Sequence, residues 1–239
     1  MQIDFYEEFP AKSNLGKLKL IKFKSRIFLA AKSLDEFNKI AWQARRINKN
    51  LNYACWPIIK NSYWISPFSS TEDLVKLFSE LNKTKINLLV DLEPPLDKRM
   101  IIKNLFSFSK NKKIIKRYLE ENKEKITTAQ FPLIVKPAKF IGLDYNVNSE
   151  KSLMYYSSAL SAKMNNFIKK RLSKLKNKQD YSVSLGTIAK GIFGNELILS
   201  PENLEKDLKF IKKIGFNKAI IFRLGGLNKN YIKVINRFI

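Results

Sequence analysis

Short β-like runs alternate with amphipathic helical stretches along the whole chain. Ile3 to Phe9 is β-like and is closed by Pro10. Asn14 to Phe23 reads as helical, with Leu15, Leu18 and Phe23 at helical spacing, and Arg26 to Ala31 returns to a β-like run. Ser33 with Glu36 three residues on is a capping box, in which each side chain satisfies a free N–H of the first helical turn. The helix it opens runs to Ile47, with Phe37, Ile40, Ala44 and Ile47 on one stripe. Leu51 to Ile58 reads as the third strand. Ser70 opens the next helix, with Asp73 at its third position and Leu74, Leu77 and Leu81 facing inward.

The alternation continues to the end. Lys85 to Asp91 is the fourth strand, and its nearly unbroken apolar run marks a strand buried on both faces. Leu96 to Glu121 is a long basic helical region, interrupted near Ser107 to Ser109. Ile126 to Phe131, Ser152 to Ser157, Tyr181 to Ile188 and Lys218 to Leu224 read as strands five to eight. Helices are expected over Ser161 to Asn177, from Ser200 and Pro201 to Gly215, and over Asn228 to Phe238. Segment 132–150 is irregular or inserted, and Phe140 to Leu143 fits either a helix or an extra strand.

Strands alternating with helices pair in parallel through crossover helices. Eight of them predict an α/β fold, a (β/α)₈ TIM barrel, with residues 1–239 as one domain. A doubly wound open parallel sheet is the alternative, since the count depends on residues 126–150. No glycine-rich dinucleotide fingerprint follows the first strand and no P-loop is present, so no cofactor is expected.

Composition narrows the chemistry. Hydrophobic residues make up 45% of the 239, enough for a substantial core. The chain has no histidine and a single cysteine, Cys55. That excludes a Ser-His-Asp triad, a Cys-His dyad and an internal disulfide, and no metal site is expected. Acid–base work must therefore fall to carboxylates, Lys or Tyr, or to Cys55. No apolar run approaches the roughly 18 residues of a membrane span, and the N-terminus lacks a secretory pattern, so a cytoplasmic location is expected. The formal net charge is +24, with Lys spread along the whole chain. It fits a polyanion partner bound through surface Lys, and equally the compositional drift of an A/T-rich genome.

In a barrel the active site lies at the C-terminal strand ends. There the sequence offers Glu7 and Glu8, Trp56, Asp91 and Glu93, Gln130, Tyr155 and Tyr156, Thr187, and Arg223. Asp91 and Glu93 are the sharpest feature. Residues i and i+2 of a strand share a face, and two crowded carboxylates raise the pKa of at least one. A raised carboxyl can donate a proton while its neighbour stays ionised, the acid–base logic of glycoside hydrolysis. An Asp-x-Glu couplet can also be no more than a solvated loop or a helix cap. The surrounding aromatics Trp56, Tyr155 and Tyr156 suit the apolar faces of sugar rings, and Gln130, Glu7 and Thr187 suit hydroxyls.

Val90-Asp91-Leu92-Glu93 resembles the end of the D-x-x-D-x-D-x-E motif of chitinase-type glycoside hydrolases (family eighteen). Met154-Tyr155-Tyr156 resembles that family's M-x-Y segment. The resemblance implies Glu93 as proton donor and Asp91 as the group orienting the substrate's N-acetyl, which attacks the anomeric carbon. It implies Tyr156 as a hydrogen-bond partner of that N-acetyl. Ile86 and Leu89 stand at the motif's two upstream Asp positions, Ser157 follows Tyr156 where the family usually has Asp, and Arg223 stands where the family typically has Trp.

Arg223 supports a rival reading. With Gly225 and Gly226 after the eighth strand it could hold a phosphorylated or acidic small molecule, with Glu93 as base. It could equally form a structural ion pair with Asp91 or Glu7. The leading expectation is a glycosidase acting on a small-molecule or oligosaccharide substrate. A non-catalytic basic barrel that binds a nucleic acid or other acidic polymer is the contrasting class.

Overall fold

Eight parallel strands follow one another around a closed cylinder: β1 (Gln2–Glu7), β2 (Arg26–Ala31), β3 (Asn52–Pro57), β4 (Leu88–Asp91), β5 (Ile126–Gln130), β6 (Glu150–Tyr155), β7 (Tyr181–Gly186) and β8 (Lys218–Phe222). Closure comes from β1 pairing with β8, from Gln2 opposite Lys218 to Tyr6 opposite Phe222. That pairing rules out the open-sheet alternative, which leaves two unpaired edges. The computed structural model describes residues 1–131, 140–145 and 147–239. Residues 132–139 and 146 of the irregular segment expected at 132–150 thus lie outside the described residues, and residues 141–142 form a turn, not an extra strand.

The helices on the outside are α1 (Lys12–Leu15), α2 (Leu34–Ile47), α3 (Thr71–Leu81), α4 (Arg99–Lys103), α5 (Phe108–Glu121), α6 (Ala162–Lys174), α7 (Pro201–Lys213) and α8 (Lys229–Ile235). Their starts follow the capping chemistry. Ser33, Ser70, Ser161 and Ser200 each accept a backbone N–H three residues on, from Glu36, Asp73, Met164 and Asn203. Such a cap contributes about 1 kcal/mol. None of the described helices is long and apolar enough to cross a membrane.

Two expected helices differ. Asn14 to Phe23 holds only the end of α1 and a 3₁₀ turn, Gly16–Leu20. Leu15, Leu18 and Ile21 are the buried residues of this segment, and their i, i+3 spacing suits three residues per turn. The region Leu96 to Glu121 starts as a helix only at Arg99 and breaks at a 3₁₀ turn, Leu105–Ser107, before α5. Strand β4 is shorter than expected: Asn87 hands its carbonyl to Cys55 N at 2.9 Å, and Ile86 stays in the preceding loop.

Strand alternation creates two cores. Phe5, Leu29, Cys55, Val90 and Tyr155 point outward and pack under the helices. Tyr6, Phe28, Trp56, Leu89, Met154 and Ile220 fill the cylinder. Below them Arg26 closes the base, 3.1 Å from Asp4 and 3.0 Å from Glu150, with its guanidinium over the Phe28 ring. The Tyr6 hydroxyl meets Ser152 at 3.0 Å and Ser184 at 2.9 Å, so the buried polar atoms at mid-height satisfy one another. The filled cylinder leaves space for a ligand at the C-terminal mouth.

Candidate functional site at the barrel mouth

The chain stays extended beyond β4. Leu92 N donates to Ala129 O at 3.2 Å, and Ile65 N donates to Asp91 O at 3.1 Å. Leu92 consequently faces the outer core, while Asp91 and Glu93 share the inner side, and Pro94-Pro95 follow at once. The two carboxylates face a cavity of about 220 Å³. Its floor is Tyr6, Leu89, Ala129 and Met154, and its walls are Trp56, Tyr156 and Phe222. Trp64, Phe131, Ile192 and Phe193 form the rim. The rings interlock: Tyr6 lies 5.7 Å from Trp56, and Tyr156 lies 5.7 Å from Phe222.

Among the described residues four carboxylates line this cavity, Glu8, Asp91, Glu93 and Glu196, and no Lys or Arg does. Burial dominates their electrostatics. It pushes Asp91 well above the usual carboxylate range, and the charges of Glu93 and Glu8 push it further. Glu93 rises to about 7, through burial and the charge of Glu8, while its hydrogen bond with Asp91 pulls the other way. The hydrogen bond between them raises Asp91 and lowers Glu93, so Glu93 is the one of the pair that gives up a proton more readily. Glu8 also rises to about 7 through burial, although Tyr63 donates to its Oε1 at 2.6 Å. Burial holds the Tyr156 phenol protonated, and the nearby carboxylates reinforce this. Among the described residues no group of three acids converges closely enough to hold a metal ion.

Of the residues singled out in the sequence, Glu93, Asp91, Tyr156, Trp56 and Thr187 line the cavity. Thr187 spends its hydroxyl on Leu197 O at 2.6 Å, which ties down the loop after β7.

Four others are turned elsewhere. Tyr155 is fully buried on the helix side, its hydroxyl 2.5 Å from Asn165 Oδ1 and its ring against Phe210 of α7. Ala129 faces the cavity, so alternation turns Gln130 away. Glu7 is fully buried and accepts from Phe9 N, Gly225 N and Arg223 Nη1, the last at 2.9 Å. Arg223 also donates to Lys190 O and stacks over Phe9. Of the two partners considered for Arg223 it takes Glu7, an ion pair that ties β8 to β1. The guanidinium needed for a phosphate at the mouth is therefore already committed.

Residue parity decides these placements. Tyr6 faces inward, so Glu8 and not Glu7 shares its face; Met154 faces inward, so Tyr156 does and Tyr155 does not. Glu8 was thus within reach of a parity argument. Trp64, Phe193 and Glu196 come from loops and had no periodic signal.

The fold matches solved chitinases along nearly the whole chain. The class V chitinase from Nicotiana tobaccum superposes with a TM-score of 0.57 at 8% identity, covering 100% of this chain and 99% of that one. The chitinase from Chromobacterium violaceum gives 0.56 at 9%, covering 99% and 98%. The class V enzyme from Pseudomonas fluorescens gives 0.57 at 10%, covering 99% of each. At such identities the likeness is one of fold. No protein-family model matches the chain, and no curated protein matches its sequence.

Proposed function

We propose that this barrel is a glycoside hydrolase that cleaves the linkage of an N-acetylated amino sugar. The carrying observation is the pair of buried Asp91 and half-buried Glu93 facing the aromatic mouth cavity, with Glu93 raised to about 7. Protonated Glu93 gives its proton to the glycosidic oxygen as the bond to the anomeric carbon breaks. The acetamido oxygen of the same sugar forms the new bond to that carbon, aided by Asp91, which holds the acetamido N–H. Water then attacks the anomeric carbon as the bond from the acetamido oxygen to that carbon breaks, and Glu93 takes the water's proton. Tyr156 hydrogen-bonds the acetamido oxygen and holds it in line with the anomeric carbon. Trp56 gives the sugar ring an apolar floor.

A cavity of about 220 Å³ is smaller than the roughly 300 Å³ at which drug-sized pockets begin, so it encloses one sugar ring, and the neighbouring units of an oligomer reach out along the rim. Leu89, in place of a motif Asp, leaves Asp91 without an acidic neighbour below it.

Glu93→Gln tests the reading. Removing a positioned acid–base group costs about 10²- to 10⁴-fold in rate. Turnover of chromogenic N-acetylglucosaminides and chitin oligosaccharides should fall by that factor, with the circular dichroism spectrum unchanged. A variant that retains full turnover refutes the assignment.

A further inference from the structure

The proposed chemistry uses Asp91 and Glu93 and leaves the other two cavity carboxylates without a task. Glu8 is 95% buried, and its Oε2, on the cavity lining, has no hydrogen-bond partner. Glu196 Oε2 is likewise buried and unpartnered, while its Oε1 accepts Phe193 N at 3.1 Å. Gly191 lies between the two. A Cβ built there would stand 2.9 Å from Glu8 Oε2 and 2.9 Å from Glu196 Oε1, so those two oxygens are no more than twice that distance apart. Two carboxylates thus crowd together, and among the described residues that line the cavity no cation balances their charge. Trp64 and Phe193, with ring centroids 6.0 Å apart, stand at the same rim, and Tyr63 holds Glu8 from behind. Carboxylates beside aromatic faces are the surroundings that receive an organic ammonium group.

We propose that Glu8 and Glu196 form a subsite for the free ammonium of a deacetylated amino sugar, so that the preferred substrate is a partly deacetylated amino-sugar oligomer. This deepens the hydrolase reading and rests on it for the sugar: an acetylated unit sits at Glu93, and an adjoining unit with a free amine sits at Glu8 and Glu196. A divalent ion does not fit, because no three acids of the described residues converge on one point. Position 191 sets the spacing of the two carboxylates, because any Cβ there would crowd both oxygens and the Phe222 ring.

Tryptophan fluorescence tests this without turnover, since Trp56 and Trp64 both line the cavity. The wild-type chain is titrated near neutral pH with glucosamine tetramer and with its fully acetylated counterpart. A charge-assisted hydrogen bond is worth about tenfold in affinity or more. The expected result is about tenfold or more tighter binding of the ammonium oligomer, lost in Glu8→Gln and in Glu196→Gln. The acetylated oligomer should bind either variant within about twofold of wild type. Gly191→Ala keeps every charge but displaces the two carboxylates, and should weaken the ammonium oligomer selectively. The inference is overturned if the wild type shows no preference, or if both glutamine variants keep it. Full activity in Glu93→Gln would remove the hydrolase reading alone, because the fluorescence preference is read independently of catalysis.

Discussion

Replacing Glu8 by Gln should stabilise the protein, and only at neutral and alkaline pH. Glu8 is almost fully buried, and its carboxyl is pushed up to about 7 from an ordinary 4.5. Burial is the first cause, opposed by the Tyr63 hydroxyl and the Arg223 charge and aided by Glu196 and Glu7. A carboxyl with a raised pKa holds its proton more tightly in the folded chain than in the unfolded one. Its favourable contribution is complete below about 4.5 and is lost as pH rises through about 7. At about 1.4 kcal/mol per pH unit, the separation corresponds to about 3 kcal/mol. The Tyr63 hydrogen bond is already inside that balance, and a Gln carbonyl can still accept it. Wild-type acidification alone is a poor assay, because the formal net charge of +24 grows as other carboxylates protonate and self-repulsion grows with it. The difference between variant and wild type cancels that background. In urea unfolding, Glu8→Gln should be more stable by about 3 kcal/mol on the alkaline side, and the gain should shrink toward zero as pH falls to 4.5. A variant no more stable than wild type at alkaline pH, or one whose gain does not vary with pH, would refute the account of a strained acidic mouth.

Three further outcomes follow from the same geometry. Arg223→Met strands the fully buried Glu7 charge and should cost about 3–5 kcal/mol in urea unfolding, most of it recovered when Glu7→Gln is added; a nearly neutral single variant contradicts the ion-pair role. The pH profile of kcat/KM should fall off through about 7 as Glu93 loses its proton, and the fall should move to lower pH in Glu8→Gln, because the Glu8 charge helps to raise Glu93; an unmoved limb contradicts that coupling. Tyr156→Phe should lower kcat by about 10- to 100-fold with KM nearly constant, since its proposed bond aligns the attacking acetamido oxygen; a rise in KM alone would make it a ground-state contact.

The barrel was legible because β and helical periods differ and the caps sit where the periods change. Ser33, Ser70, Ser161 and Ser200 mark helix starts in the sequence and accept the expected N–H groups in the structure. The mouth was legible only along strands. Asp91 and Glu93 share a side because period two continues past the last paired residue of β4, and the same rule separates Tyr156 from Tyr155. Parity misleads where the strand phase is not anchored. At the end of β1, Glu7 and Glu8 are chemically alike, and only the inward ring of Tyr6 shows which one reaches the cavity. The contacts made by loops have no period at all. Trp64 reaches the rim through a short antiparallel bridge, Ile59 with Tyr63, and Glu196 through a turn around Gly194. Neither turn has spacing that announces a side chain aimed at a site tens of residues away.

Charge illustrates why composition and site can point in opposite directions. The chain as a whole is strongly positive, which favours an anionic partner, yet among the described residues its mouth cavity is lined by four acids and no base. The two act over different ranges. Exposed lysines are screened within about 8 Å at physiological salt, so their field decides encounter rates and loose surface binding. The carboxylates at the mouth sit in a low-dielectric pocket where salt penetrates poorly, and there a single charge decides which ligand stays. A phosphate or carboxylate drawn toward the surface would meet unpaired oxygens of Glu8, Asp91 and Glu196 inside, with Arg223 already held by Glu7. A neutral or cationic sugar meets the opposite balance: no attraction at a distance, but rings and acids at contact. The net charge thus speaks to the outer surface, and the four carboxylates speak to the substrate.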